Sequence, residues 1–264
     1  YKMTVLIGSA GSQVSNILSS NTLNTPSTFD PNSLNTPSWS VSAARHHMIE
    51  QQIRPWGILE PRVLEVLSII KRELFVQEAQ TTLAFSDIQL PILPDQPLTK
   101  NSEVMLEPRI EARILQAIMP HGKEEVLEVG SGSGYMAALL GYFAKLVTTV
   151  ELNPAIAEFA TVNLNKCRIP NVRVEVGDAL QGWKVSSNTS YDLICLSGGV
   201  CEVSHALQNQ LKVGGKLFAF IGDERLMSAT IIRRVSHDYF QQKKLFEALV
   251  PSLVDTSVRH SFVF

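Results

Sequence analysis

The sequence predicts an α/β fold: a Rossmann-like, doubly wound, seven-stranded sheet, mostly parallel with an antiparallel carboxyl-terminal edge, preceded by amino-terminal helices. Three observations carry that expectation. From Glu125 onward, short apolar runs of strand type ("EVLEVG", "LVTTVEL", "VRVEVG", "YDLICLS") alternate with helix-length runs ("YMAALLGYFA", "PAIAEFATVNLNK"). The first break between them, "GSGSG", is a glycine-rich turn joining a strand to a helix. After "VGGKLFAFIG" the alternation stops, and "ATIIRRVS" and "RHSFVF" read as strands with no full-length helix between them, which suits an antiparallel edge.

Ahead of that core the chain is organised differently. Residues 3–44 are dominated by Ser, Thr, Asn and Pro, with Asp30 the only charge, and "LNTPS" occurs at 23–27 and again at 34–38. Such a composition buries little apolar surface, so residues 1–41 are expected to form an amino-terminal arm. An arm of that kind either folds back on its own domain or reaches a neighbouring subunit, giving a homodimer. A secretory signal is not expected, because "TVLIGSA" is short and lacks a basic flank beyond Lys2, and no arginine precedes Arg45 as a transit peptide would require. Residues 42–120 form a helical lead-in and substrate loop. Ser42 is placed to cap a helix through "AARHHMIEQQI" that Arg54-Pro55 stops. Pro61 starts the next, with Val63, Leu64, Leu67 and Ile70 at helical spacing. Three prolines between Phe85 and Asn101 predict an irregular loop, and "PRIEARILQAIM" a further amphipathic helix. Residues 121–264 then hold the core.

Composition narrows the function classes. The chain has 264 residues, 45% hydrophobic and 18% charged, enough for one large domain with a buried core. A net charge of -2 and a pI near 6.3 lack the basic footprint of a nucleic-acid binder. No run approaches the ~18 apolar residues of a membrane span. Cys167, Cys195 and Cys201 form no CxxC pair, which favours a reducing, cytoplasmic setting without disulfides or a metal.

The glycine turn poses the chemical question. Ligands of open α/β sheets bind at the carboxyl ends of the strands. Gly130, Gly132 and Gly134 allow a sharp turn and close backbone approach, with Ser131 between them. The loop reads ExGxGxG rather than the GxGxxG of pyrophosphate sites, and Glu128 would repel pyrophosphate yet suit a ligand carrying ammonium and sulfonium charges. Glu151, with Leu152 after it, ends the second strand, where an acid can take both hydroxyls of a ribose. Asp178 and Ala179 follow the third strand, where an acid can accept from an adenine amino group, and Asp192 opens the fourth. Read singly, each acid merely ends a strand or caps a helix; together, one per βα unit, they describe an S-adenosyl-L-methionine site.

From about Arg45 to Asp223 the chain resembles the protein-L-isoaspartate O-methyltransferases, on "MIEQQI", "VLEVLSIIKRELFV", "AFSDIQLPI", "VLEVGSGSGY", "NVRVEVGDALQGW" and "LQNQLKVGGKLFAFIG". The resemblance implies a class I methyltransferase that esterifies isoaspartyl carboxylates of damaged proteins. It places Asp87 in a loop over the cofactor, and Ser197-Gly198-Gly199 as a wall where substrate backbone comes close. One departure stands out. Aligned on Pro108, Val104 and Leu106 occupy the positions of a threonine and a serine that the family uses for hydrogen bonds, and Ser102, Thr99 and Asn101 of the longer loop could replace the lost hydroxyls if that loop folds inward. Asp87 and Ser102 are therefore the catalytic candidates. A carboxylate acceptor, with a pKa of about 4, is already ionised at neutral pH and needs no general base. His205 and His237 are accordingly read as surface residues, and His46 and His47 as structural ones. Two other readings remain open at this point: the same donor with a different acceptor, a small molecule or another protein group, and a non-enzymatic module acting through its arm.

Overall fold

The computed structural model describes residues 38–94, 102–183 and 189–254. The arm up to residue 37, Thr99, Asn101 and the "RHSFVF" run lie outside the described residues. Helix α1 (Ser38–His47) starts at Ser38 rather than at Ser42, and runs on into a wider π-helical turn, Met48–Ile53, that buries Met48, Ile49 and Ile53. Arg54-Pro55 ends it, as expected, in a 3₁₀ turn closed by Gly57 at φ 80°. Helix α2 (Pro61–Ile69) begins on its proline, which has no N–H to leave unpaired, and Glu60 caps it by accepting from the Arg62 N–H. Its buried stripe is Val63, Val66 and Leu67, with Leu64 only partly covered. Two further 3₁₀ segments, Arg72–Leu74 and Glu78–Phe85, lead to a short strand β1 (Leu90–Pro91). That strand pairs antiparallel with β2 (Val104–Met105), so the proline-rich stretch is tied down at both ends.

Helix α3 (Pro108–Ile118) precedes the main sheet, whose strands are β3 (Glu125–Val129), β4 (Leu146–Glu151), β5 (Val172–Val176), β6 (Tyr191–Val200), β7 (Leu211–Asp223), β8 (Leu226–Arg234) and β9 (Phe240–Glu247). Their order is β5-β4-β3-β6-β7-β8-β9, parallel through β7 and antiparallel thereafter. Helices α4 (Tyr135–Phe143), α5 (Pro154–Lys166) and the short α6 (His205–Gln208) connect the parallel strands. The chain builds outward from β3 to β5, then returns to add β6 on the other side of β3, so strand order reverses there and a crevice opens at the carboxyl ends.

The antiparallel edge is present, and it includes a strand the sequence did not announce, β9, "FQQKKLFE". Residues 241–245 are exposed, and two lysines and two glutamines erase the apolar alternation that announces a strand. Charge on an edge strand also discourages further pairing.

One apolar cluster joins the lead-in helices to a face of the sheet, with Met48, Leu67, Ile114, Leu139, Phe218 and Phe220 among its members. Phe218 and Phe220, two apart on β7, meet edge to face at 5.0 Å. A second cluster around Leu127, Ile194, Leu207 and Leu217 covers the other face.

Charges reinforce the first cluster. Arg72 and Glu73 are neighbours in one 3₁₀ turn; Arg72 pairs with Glu111 of α3 and Glu73 with Arg45 of α1, all four side chains being buried. One turn thus ties two helices to the same core. Removing one partner of a buried pair strands the other charge. Glu73→Ala is expected to lose about 3–5 kcal/mol in urea unfolding, and an Arg45→Met/Glu73→Leu double variant to recover most of it.

Candidate active site

At the carboxyl ends of the central strands, Glu103, Glu111, Glu128, Glu151 and Asp178 line one cavity, and among the described residues no lysine, arginine or histidine does. The glycine loop forms its floor. Gly130, Gly132 and Gly134 all have positive φ (90°, 52° and 84°), a region closed to most side chains. Ser131 Oγ and Thr149 Oγ1 of β4 share a hydrogen bond at 2.7 Å, and Asn163 of α5 donates to the Ser133 carbonyl at 3.0 Å, so the loop is held from two elements. Gly134 lies outside the cavity lining; it opens α4 and lets that helix approach the Ala160 carbonyl.

The acids predicted at the strand tips are in place. Glu151 accepts from the Gly132 N–H at 3.2 Å and the Asn153 N–H at 3.1 Å, which fixes its carboxylate and leaves lone pairs directed at the cavity. Asp178 accepts from the Leu180 N–H at 3.0 Å, with Ala179 buried beside it, and Leu152 forms part of the rim. Glu128 is fully buried. Its Oε1 accepts from Ser197 Oγ at 2.7 Å, while Oε2 has no hydrogen-bond partner among the described residues. Burial raises its pKa to about 7, against the nearby hydroxyls of Ser197 and Thr149 and helped by the charge of Glu151. Ser102 is buried and lines the cavity, as do Val104 and Leu106.

Three expectations are corrected. Asp87 does not line the cavity: its carboxylate accepts from the Arg109 N–H at 3.4 Å and pairs with Arg109 Nη1 at 2.8 Å, holding the first turn of α3. Asp192 stands at the amino-terminal end of β6, away from the strand tips, where it accepts from the Glu125 N–H and from Lys212 Nζ. Ser197 and Gly198 do line the cavity, but space beside the glycine pair that was expected for substrate backbone is taken by the chain itself. The Gly199 N–H donates to the Pro251 carbonyl at 2.9 Å and the Leu253 N–H to the Gly199 carbonyl at 2.8 Å. A Cβ at Gly198 would lie 2.9 Å from Leu253 Cδ2, and one at Gly130 2.8 Å from the same atom. His205 and the pair His46 and His47 are exposed, as expected for residues outside the chemistry.

Sequence reasoning missed Glu103, Glu111, Asn153 and Leu253. Asn153 was legible as the cap before Pro154, since its Oδ1 accepts from the Ala155 N–H, but not as the donor that holds Glu103 at 3.1 Å. Glu111 left a signal too. It lies on the same helical stripe as Ile114, Leu115 and Ile118, and an acid on an apolar stripe needs a buried partner.

The comparisons with known proteins decide the family. Residues 43–257 match the profile described as "Protein-L-isoaspartate(D-aspartate) O-methyltransferase (PCMT)". The chain belongs to this family. It is 36% identical over 200 residues to a protein-L-isoaspartate O-methyltransferase of Syntrophus aciditrophicus, covering 76% of this chain and 88% of that one. Its likeness to one from Rhodopseudomonas palustris is 34% over 199 residues, covering 75% and 87%. Among solved structures, a protein-L-isoaspartate O-methyltransferase superposes with a TM-score of 0.66 at 22% identity, over 80% of this chain and 66% of that one. A Plasmodium falciparum beta-aspartate methyltransferase solved with S-adenosyl-L-homocysteine gives 0.62 at 17%, over 81% and 97%. Both share the fold of this isoaspartyl methyltransferase family member.

A cation bound beside Glu128 would favour its ionised form, so affinity for S-adenosyl-L-homocysteine should climb with pH as that carboxyl loses its proton. The expected rise is about tenfold from pH 6 to pH 8 by calorimetry, flattening above, and absent in Glu128→Gln. Glu151→Ala should lose about tenfold or more in affinity at any pH in that range, because two charged hydrogen bonds disappear.

Proposed function

We propose that this chain transfers the methyl group of S-adenosyl-L-methionine to isoaspartyl carboxylates of damaged proteins. The observation that carries the reading is Glu128, a fully buried carboxylate with an unpartnered oxygen, set against a glycine turn in a cavity lined by acids. An unpartnered buried anion is costly, and a cationic ligand removes the cost.

The residues present fit this donor. Glu128 Oε2 would take its ammonium group, Glu151 the ribose hydroxyls and Asp178 the adenine amino group, while Gly130, Ser131 and Gly132 let the backbone run close. When bound, the donor supplies an electrophilic methyl carbon. The chain's own part is alignment and exclusion of water, since a carboxylate acceptor with a pKa of about 4 arrives ionised. Ser102, a buried hydroxyl on the acceptor side of the cavity, is assigned to orient that carboxylate. Asp87 is assigned a positioning role through Arg109. A reducing compartment belongs to the reading and is supported by the free thiols of Cys167, Cys195 and Cys201.

A specific observation keeps a second acceptor in view. Val104 and Leu106 put two apolar side chains on the wall where hydroxyls would otherwise serve the carboxylate. Losing such a donor costs about 1.5–3 kcal/mol, or roughly ten- to a hundredfold. Methanol release from an isoaspartyl peptide tests the first reading. Turnover well above an aspartyl control is expected, and equal rates would overturn it. In Val104→Thr/Leu106→Ser, a large gain in isoaspartyl turnover would count against the second reading, which expects none.

A further inference from the structure

The cavity presents a charge problem to an anionic acceptor. Its lining includes the carboxylates of Glu111, Glu128 and Glu151. Arg72 is a cation fully buried behind one wall. Arg72 Nη1 pairs with Glu111, which does line the cavity, and Nη2 donates to the carbonyl of Leu106 at 2.7 Å, on the same wall. The guanidinium also lies 5.4 Å from the ring centroid of Tyr135, the first residue of α4 after the glycine loop. Arg72 Nε and the Tyr135 hydroxyl are buried with no hydrogen-bond partner among the described residues. One side chain therefore touches the acceptor wall at Leu106, an acid of the cavity at Glu111, and the helix that follows the donor loop.

We propose that Arg72 is a positioning residue for the acceptor: it fixes the wall at residues 104–107 and, through its pair with Glu111, supplies the positive charge that admits an anionic group to an acid-lined cavity. The inference rests on the carboxylate-acceptor reading above. The groups that face Glu111 are Arg72 from the 3₁₀ turn, Glu107 ahead of α3, and Glu128 from β3, and Tyr135 of α4 is coupled to it. Burial raises Glu111 to about 8, with Arg72 opposing the rise and the two glutamates adding to it.

Sign separates this role from a structural one. If Arg72 and Glu111 only packed the core, weakening either would impair the enzyme. If they set the charge met by the acceptor, the two changes act in opposite directions. Steady-state kinetics with an isoaspartyl peptide between pH 6 and pH 9 read this, each variant being compared with the unaltered chain at the same pH. Arg72→Met is expected to raise the acceptor KM about tenfold with kcat little changed, and Arg72→Lys to hold KM within about threefold. Glu111→Gln is isosteric and keeps a hydrogen bond to Arg72. Its KM should match the unaltered chain at pH 6, where Glu111 holds a proton, and fall about three- to tenfold below it at pH 9, where Glu111 is ionised. Calorimetry with S-adenosyl-L-homocysteine should stay within about threefold in all three variants. If Arg72→Met fails to fold, the pH-dependent gain in Glu111→Gln carries the test alone. A higher KM in Glu111→Gln, or one unmoved at pH 9, overturns the inference while leaving turnover intact. No isoaspartyl turnover by the unaltered chain, with the donor product still bound, overturns the acceptor reading and this inference with it.

Discussion

A carboxylate sealed in a protein interior is tolerated only where something answers its charge, and Glu128 is answered by half. Ser197 satisfies one oxygen; the other has no hydrogen-bond partner among the described residues, and the cavity that Glu128 helps to line carries acids but no cationic side chain among those residues. In a low-dielectric surrounding such a group either takes up a proton or demands a cation. That demand organises the neighbourhood. It explains a glycine turn that lets a ligand come within reach, a second acid at the end of β4 locked by two backbone N–H groups, and a serine on β6 committed to holding the first. A binding site for an anion would need the opposite arrangement, so the charge layout selects the donor class before any resemblance is consulted.

The parts of this site that were legible in the sequence are those set by local chain geometry. Glu128, Gly130, Gly132, Glu151 and Asp178 each follow from the end of a strand and the start of a turn, features that a short stretch carries by itself. Asp192 shows the limit of the same logic: it opens its strand, as the sequence indicates, but an acid at that end lies away from the carboxyl-terminal tips and cannot join the others; its partner Lys212 lies on the neighbouring β7. Asp87 shows another limit. An acid in a loop before "LPI" is equally available to a ligand and to the first turn of a helix, and Arg109 claims it. The helices and parallel strands were readable because their apolar periods are clean, whereas β9 was not, because an exposed edge strand rich in lysine and glutamine has no apolar face to announce it.

What the sequence could not supply was long-range pairing. Arg72 and Glu73 sit in an ordinary-looking "KREL", yet one turns toward α3 and the other toward α1. Two buried ion pairs of this kind add little net stability over apolar replacements of equal volume. Their value lies in fixing register. A guanidinium with donors in a rigid fork meets a carboxylate and a carbonyl in only a few arrangements, so Arg72 sets where residues 104–107 stand relative to the helix that follows the glycine loop. Apolar packing among Leu67, Ile114 and Leu139 would hold those elements together without choosing so narrow a position.

The antiparallel edge has a corresponding task. A sheet ending at β7 would leave the tip of β6 open beyond Gly198 and Gly199. Instead β8 and β9 carry the chain out and back, so that the Ala248 N–H bonds to the Met227 carbonyl and the following residues run alongside Gly199. Met227 and Leu253 then occupy the space that side chains at Gly199 and Gly198 would need, and Leu253 also closes over Gly130. The two glycines are thus required by the protein's own carboxyl-terminal segment, and Leu253, which closes over Gly130, comes from far along the sequence. A cavity assembled this way is complete only once the last strand has paired.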